Sequence, residues 1–353
     1  MKRDIRSYDI SDISTIMEHY QQPRFRTQQL ISWIYQKGAA SYSDMTNLPH
    51  SLIDALAQDY PLTPLAIIDK QISYDGTRKY VFEYYDGTRV EAVGIPSSES
   101  KRDGTPQHLT VCFSTQAGCA MACAFCATGT EGLGRNLSSG EMVSQIVAVQ
   151  QDFNARITNV VSMGQGEPFQ NYHSVLDALR YLNNSKGLAI GARHITLSTC
   201  GIISGIEKLS HEPEQFTLAV SLHAARQSLR DQLMPRCASQ TLMQLKSALI
   251  SYIAHTGRRV SFEYLLIRGV NDLAEDLQAL QEFCEGILCH VNLIPFNAVD
   301  ESPYQPSPQS TQQHWVRTLK HTGIESTIRQ SRGSDIDGAC GQLKNKLYPK
   351  QSV

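Results

Sequence analysis

Nothing in this 353-residue chain approaches the uninterrupted apolar run of about 20 residues that a membrane-spanning helix needs. Its first residues, MKRDIRSYDISDIS, hold no apolar stretch of the kind a secretory leader carries. A cytoplasmic location with no membrane partner is therefore expected. An excess of one charge is also missing: 32 Lys and Arg face 34 Asp and Glu, a net charge of -2. That balance excludes a domain that holds nucleic acid by bulk charge alone, so such a partner would need locally placed Lys and Arg. No internal repeat and no long low-complexity tract interrupts the sequence.

What is present is an apolar fraction of 41%, enough for a large core, and nine cysteines. In a reducing compartment nine cysteines point to metal binding or catalysis rather than to a disulfide framework. Residues 1–65 read as a helical accessory domain, with Leu30, Ile31, Trp33, Ile34 and Tyr35 on one face and Pro49 and Pro61 as punctuation. Residues 66–104 read as a β-hairpin region and linker. There KYVFEYY and TRVEAVGI flank Asp86-Gly87, a pair that favours a tight turn with positive φ, and the polar stretch 96–107 is the boundary. Residues 105–333 then alternate strands and helices: LTVCFS, ITNVVSM, HITLST, FTLAVSL, RVSFEYLLI, HVNLIPF and IESTIR are the strands. SSGEMVSQIVAVQQDF, with a capping pattern at Ser138 and Glu141, and SVLDALRYLNN are helices between them. Such alternation means parallel strands with helical crossovers. Too few units are visible for a closed eight-fold barrel, so the expected fold class is α/β, an open or partial β/α barrel. Residues 334–353 form a C-terminal segment.

Cys119-x3-Cys123-x2-Cys126 directly follows the first core strand, at the strand end where β/α barrels assemble their active sites. Three thiolates in one loop can hold three irons of a four-iron cluster, leaving one iron open to a ligand. A structural zinc ion, completed by a distant Cys or His, is the alternative that spacing leaves standing. Gly166-Glu167 after NVVSM is a weak signal by itself, compatible with a tight turn and a solvated carboxylate. His223 alone reads as a satisfied core histidine, and Cys340 alone as a small buried hydrophobe.

CxxxCxxC with Phe125 before its last cysteine looks like the radical S-adenosylmethionine (SAM) signature. More specifically, the chain resembles the RlmN/Cfr RNA methyltransferases over nearly its whole length. The resemblance rests on CFSTQAGCAMACAFCATG, RNLSSGEMVSQI, MGQGEP, HITLSTCGI, VSLHA, LMP, FEYLLIRGVND, CHVNLIPFN and DIDGACGQL, with WIYQKG and DMTNLP in the accessory domain. It implies a 4Fe-4S cluster on Cys119, Cys123 and Cys126. SAM, two molecules per turnover, would be contacted by Gly166, Glu167, Ser198, Ser221, Leu222, His223 and Asn297. It further implies that Cys340 takes a methyl group and becomes joined through that carbon to adenine. Cys112 then releases the product by forming a transient disulfide with Cys340, and Glu91 accepts a proton. The implied partners are 23S rRNA, tRNA and an electron donor such as flavodoxin or ferredoxin.

CATG after the cysteines occurs in a Cfr-like form, whereas GARHIT, GRRVSFEY and CHVNLIPFN are more similar to RlmN; the latter resemblance implies methylation of adenine carbon 2 rather than carbon 8. A non-enzymatic metal-binding RNA module is the reading from another class, and it gives Cys340, Cys112 and the GxGE stretch nothing to do. Between Arg317 and the C-terminus seven basic residues (317, 320, 329, 332, 344, 346, 350) face three acidic ones (325, 335, 337), a local basic excess around Cys340. Cys200, Cys237, Cys284 and Cys289 read as packing residues. Two of them stand at departures from the family pattern: Cys200, where relatives often carry Ser, and Cys237 in LMPRCAS.

Overall fold

The computed structural model describes residues 2–130, 132–297 and 302–344. Within them the strands are β1 Ala66–Ile72, β2 Arg78–Glu83, β3 Arg89–Pro96, β4 Leu109–Cys112, β5 Gln116–Gly118, β6 Leu133–Asn136, β7 Asn159–Val161, β8 Ile195–Thr199, β9 Thr217–Ser221, β10 Val260–Leu266, β11 Cys289–Pro295 and β12 Ser326–Ile328. The helices are α1 Asp12–His19, α2 Arg24–Tyr35, α3 His50–Asp59, α4 Ser139–Phe153, α5 Tyr172–Asn183, α6 Ile203–Ser210, α7 Gln227–Leu233, α8 Leu242–Thr256, α9 Ala274–Cys284 and α10 Gln309–His321.

Ten strands form one sheet in the order β1-β2-β3-β4-β7-β8-β9-β10-β11-β12. From β4 to β12 every pairing is parallel, and each step is made by at least one helix. β1 and β12 are the two edges and do not pair, so the barrel is open, as the strand-helix alternation predicts. The seven predicted core strands are all present. Val160, Leu197, Leu218, Phe262 and Leu293 on these strands belong to one continuous apolar core. Burying a side chain of this size contributes about 1.5–3 kcal/mol, which is what holds so long a parallel sheet together.

The hairpin region is more than a hairpin. β1 precedes the two predicted strands, and β3 pairs antiparallel with β4, with Val93 opposite Cys112. Three antiparallel strands thereby extend the parallel sheet. The same turn chemistry recurs three times here, as Asp75-Gly76-Thr77, Asp86-Gly87-Thr88 and Asp103-Gly104-Thr105. In each the glycine has a positive φ and the Asp carboxylate accepts from the Thr amide, at 2.9, 3.0 and 2.9 Å. Such Asx turns are what short polar side chains followed by glycine favour.

α4 begins with the capping box that its sequence signals. The Glu141 amide donates to Ser138 Oγ (3.1 Å) and the Ser138 amide donates to Glu141 Oε2 (3.0 Å). The N-terminal helices share the barrel's core rather than forming one of their own. Gly140 lies where they meet α4: a Cβ there would collide with the Tyr35 hydroxyl and the Arg6 carbonyl. Asp9 Oδ1 accepts from the Ser139 amide at 2.7 Å, and the Ile10 amide donates to Ser139 Oγ at 2.6 Å.

Candidate active site

The loops at the C-terminal ends of the parallel strands surround a cavity lined by Cys119, Cys123, Cys126, Gly166, Glu167, Ser198, Ser221, His223 and Cys340. Residues that the sequence spreads over more than 200 positions thus meet in one place. The cysteine loop is framed by the β5–β6 hairpin, in which the Cys119 amide donates to the Gly132 carbonyl (2.9 Å). Burial pushes the Cys119 thiol up to about 11, raises Cys123 well above its ordinary value with help from Cys126 and Cys237, and raises Cys126 as well.

Thiols that resist ionisation in isolation become ligands when a cationic centre displaces their protons. Cys119, Cys123 and Cys126 lie on one loop and all line one cavity. A lone zinc would need its sulfurs about 2.3 Å from one centre, whereas a cluster spreads its thiolates over different irons. The donor set therefore suits a cluster.

Glu167 is fixed by its backbone surroundings. Its Oε1 accepts from the Phe169 amide (3.0 Å), its Oε2 from the Cys200 amide (2.7 Å), and its own amide donates to Gln116 Oε1 (2.8 Å). Burial raises its carboxyl, and those two amides oppose the rise. A carboxylate has about four lone-pair positions, so the cavity side can still accept from an ammonium. Gly166, with φ of +105°, is required here, because a Cβ would stand 2.6 Å from that of Gln116.

His223 occupies the left-handed region at φ +53°. Its Nδ1 accepts from the Leu265 amide at 3.1 Å, which leaves the proton on Nε2. Burial, reinforced by Arg230, lowers its pKa to about 3, so the ring is neutral. Its ring packs edge-to-face with Phe125, centroids 4.7 Å apart and planes inclined at 74°. Asn271 holds the strained peptide by donating to the His223 carbonyl at 2.7 Å.

Other predicted residues stand further off. The Leu222 side chain is buried in the main core and its amide donates to the Glu263 carbonyl (3.0 Å). Asn297 lines a second, adjoining cavity, where Nδ2 donates to the Cys340 carbonyl (3.4 Å). Cys112 lines that second cavity too, and Cys340 lines both. Burial pushes the Cys112 thiol up to about 12; Cys340 adds to this and Arg329 opposes it. Glu91 lines neither cavity. It is buried on β3 beside β4, 3.7 Å from the buried Lys79 ammonium.

Sequence reasoning missed several neighbours: Glu263, Arg329, Met163 and Thr128 line the first cavity as well. The signal for the first two was a charged residue within or just beyond a core strand, the position at which barrels place chemistry. Cys200 lines the cavity and shares an apolar cluster with Cys237, whose Sγ lies 3.7 Å from the Cys200 carbonyl. The two departures from the family pattern are thus in contact. Of the basic residues near Cys340, Arg329 faces Glu263 (3.6 Å) and Arg332 faces Asp75 (3.8 Å), so neither is a free surface charge; Lys346 and Lys350 lie outside the described residues. Cys340 is held beside the cluster loop by its neighbours, for the Ala127 amide donates to the Gly341 carbonyl (2.8 Å) and Thr128 Oγ1 to the Leu343 carbonyl (2.7 Å).

Residues 113–284 match the family model of the radical SAM superfamily, and residues 4–60 that of the ribosomal RNA large subunit methyltransferase N-terminal domain. A "Probable dual-specificity RNA methyltransferase RlmN" of Clostridium novyi is 40% identical over 97% of this chain and 98% of its own. That of Geobacillus kaustophilus is 45% identical over 91% and 87%. The chain belongs to the RlmN/Cfr family of radical SAM RNA methyltransferases. Its fold agrees: the crystal structure of a radical SAM methyltransferase from Sphaerobacter thermophilus superposes with a TM-score of 0.89 at 40% identity, covering 97% of this chain and 99% of that one. Membership in the family implies SAM and a 4Fe-4S cluster, which Cys119, Cys123 and Cys126 would hold. Among the described residues no helix is long and apolar enough to cross a membrane.

Proposed function

We propose that the chain methylates carbon 2 of a specific adenosine in 23S rRNA, and of an adenosine near the anticodon of tRNA, in the cytoplasm. Cys340 would carry the methyl carbon and Cys112 would release the product. The observation that carries this reading is the place of Cys340, which lines the SAM-type cavity on one side and the Cys112 cavity on the other. One sulfur can thus meet a methyl donor and a second thiol from the same position. The two RNA targets are suggested by the "dual-specificity" in the relatives' names.

An adenine ring carbon is not nucleophilic, so a polar methyl transfer to it fails, whereas a thiolate accepts a methyl group readily. When bound, the cluster and SAM supply one-electron chemistry that removes hydrogen from a methyl group, the hard step that a cofactor carries. Two SAM per turnover follow, one of them as methyl source, and the electron comes from a small donor of the flavodoxin or ferredoxin kind. The chain's own residues do the rest. Cys340 accepts the methyl and becomes joined through that carbon to adenine. Glu91, on the strand beside Cys112, would take the proton that the ring carbon loses, and the unpaired electron left on the ring would pass back to the electron-carrying cofactor. The Cys112 thiolate then attacks Cys340 sulfur. As the sulfur–sulfur bond forms, the bond from sulfur to the methylene carbon breaks. Carbon keeps that electron pair and takes a proton to become methyl, and a cellular thiol reduces the disulfide. Mass spectrometry of RNA from cells with and without the gene tests the reading. Loss of 2-methyladenosine with the gene supports it, and loss of 8-methyladenosine instead overturns the assignment of the carbon.

A further inference from the structure

Arg329 follows the last strand of the sheet and lines both cavities, the only cationic side chain among the described residues to do so. Its Nη1 lies 3.4 Å from Met163 Sδ and 3.6 Å from Glu263 Oε2. Glu263 is buried in β10, and its other oxygen accepts from Asn292 Nδ2 at 2.8 Å. The guanidinium is therefore anchored from one side, and its remaining neighbours include the two thiols that the proposed chemistry joins. Cys340 is the largest influence holding its pKa above the ordinary value, with Glu263 and Cys112 adding to it against burial.

The side chains packed against Cys112 are apolar. Its apolar neighbours are Val93 and Ile95 of β3, Val161 of β7, and Leu343, with Met163 beside them. The Met163 amide is a backbone donor acting on it. Of the other charges nearby, Arg332 lines the same cavity but faces Asp75, and Glu91 on β3 faces Lys79. A thiol buried in this way stays protonated, and only the thiolate is a nucleophile.

We propose that Arg329 is a positioning residue for release: anchored by Glu263 where the two cavities adjoin, it eases the ionisation of the Cys112 thiol, which burial opposes, as that sulfur attacks Cys340. This rests on the resolving role proposed for Cys112. The anchor matters because a guanidinium free to swing into solvent would lose most of its effect on a buried sulfur. A planar, permanently charged group is also suited to serving two sulfurs at once without shifting its own protonation.

The test separates the inference from the reading beneath it. Alkylation of Cys112 by iodoacetamide, followed by peptide mass spectrometry from pH 7 to 10, needs neither RNA nor turnover. It is run anaerobically on the cluster-reconstituted full chain carrying Cys340→Ser, so that a single thiol of the pair reports. Replacing Arg329 by Gln is expected to slow alkylation at pH 8 roughly tenfold and to move the profile about one unit upward. Arg329→Lys, which keeps the charge, is expected to recover most of the rate. An unchanged rate in the Gln variant overturns the proposal, and so does equal slowing in both variants with lowered melting temperature, which marks a packing role only. The resolving role is judged separately: Cys112→Ala should accumulate a covalent RNA–protein species, and clean release of RNA by that variant overturns it.

Discussion

At the scale of single residues, the most informative group is the loop thiol Cys126, which is raised by burial and faces the same cavity as Glu167 and Cys340. Cys126→Ala is expected to abolish assembly of a full cluster. Iron and sulfide content after anaerobic reconstitution checks this, and an unchanged four irons per chain would remove Cys126 from the ligand set. The cysteine loop was legible in the sequence because motif and strand end coincide, whereas Gly166 and Glu167, a weak signal by themselves, stood out only through the family resemblance. Glu263 and Arg329 were not legible, since a charged residue in an otherwise apolar strand carries no local mark of its partner. Their meaning comes from a pairing between β10 and the residue after β12 that spans 66 positions. Cys200 and Cys237 show the same limit: each was visible as an oddity, and only the fold puts one against the other.

At the scale of elements, the parallel strands were readable from alternation alone, because helix and strand periods differ and each crossover returns the chain to the same side. β1 was not. Its alternation is weak, most of its side chains are exposed or half-buried, and Ile67 and Ile72 point largely to solvent, so no apolar face announces it. What fastens this edge to the core is Asp152 at the end of α4, which accepts from Lys70 Nζ (2.8 Å) on β1 and from Arg78 Nη1 (2.7 Å) and Tyr80 Oη (2.7 Å) on β2. Burial would raise this carboxyl, but the three donors outweigh it and hold it down at about 2. Because the folded value lies below the unfolded one, the stabilisation is full above about pH 4 and lost as pH falls towards 2. After allowance for solvent screening it amounts to roughly 1 kcal/mol. Asp152→Asn is therefore expected to lower the melting temperature at pH 7 by a few degrees and to make no difference near pH 2. Equal destabilisation at both pH values would contradict an electrostatic origin.

At the scale of the whole molecule, the accessory helices and the barrel act as one body because they share a core, and α4 is their common wall. Gly140→Ala should overpack that wall and cost about 1–3 kcal/mol, read as a lower midpoint in denaturant. A midpoint equal to that of the unaltered chain would mean that the helices can slide away from α4 at no cost. Along the sequence, residues 1–65 read as a helical accessory domain beside a β-rich region, because periodicity describes each stretch by itself. It could not reveal that α2 and α4 bury the same layer.

The cysteine loop and the segment that caps it are far apart along the polypeptide: Cys126 precedes Cys340 by 214 residues, and the turn after Cys126 takes its partners from Gly341 and Leu343. A chain made at about 5–20 residues per second therefore spends roughly 10–40 seconds with the three thiols of the proposed cluster site already synthesised and the thiol proposed to accept the methyl group not yet made. During synthesis the cysteine loop stands uncapped, open to iron and sulfide delivery, and nothing it could generate has an acceptor to act upon. Translation itself thus imposes an order in which the cofactor site precedes the group it will serve.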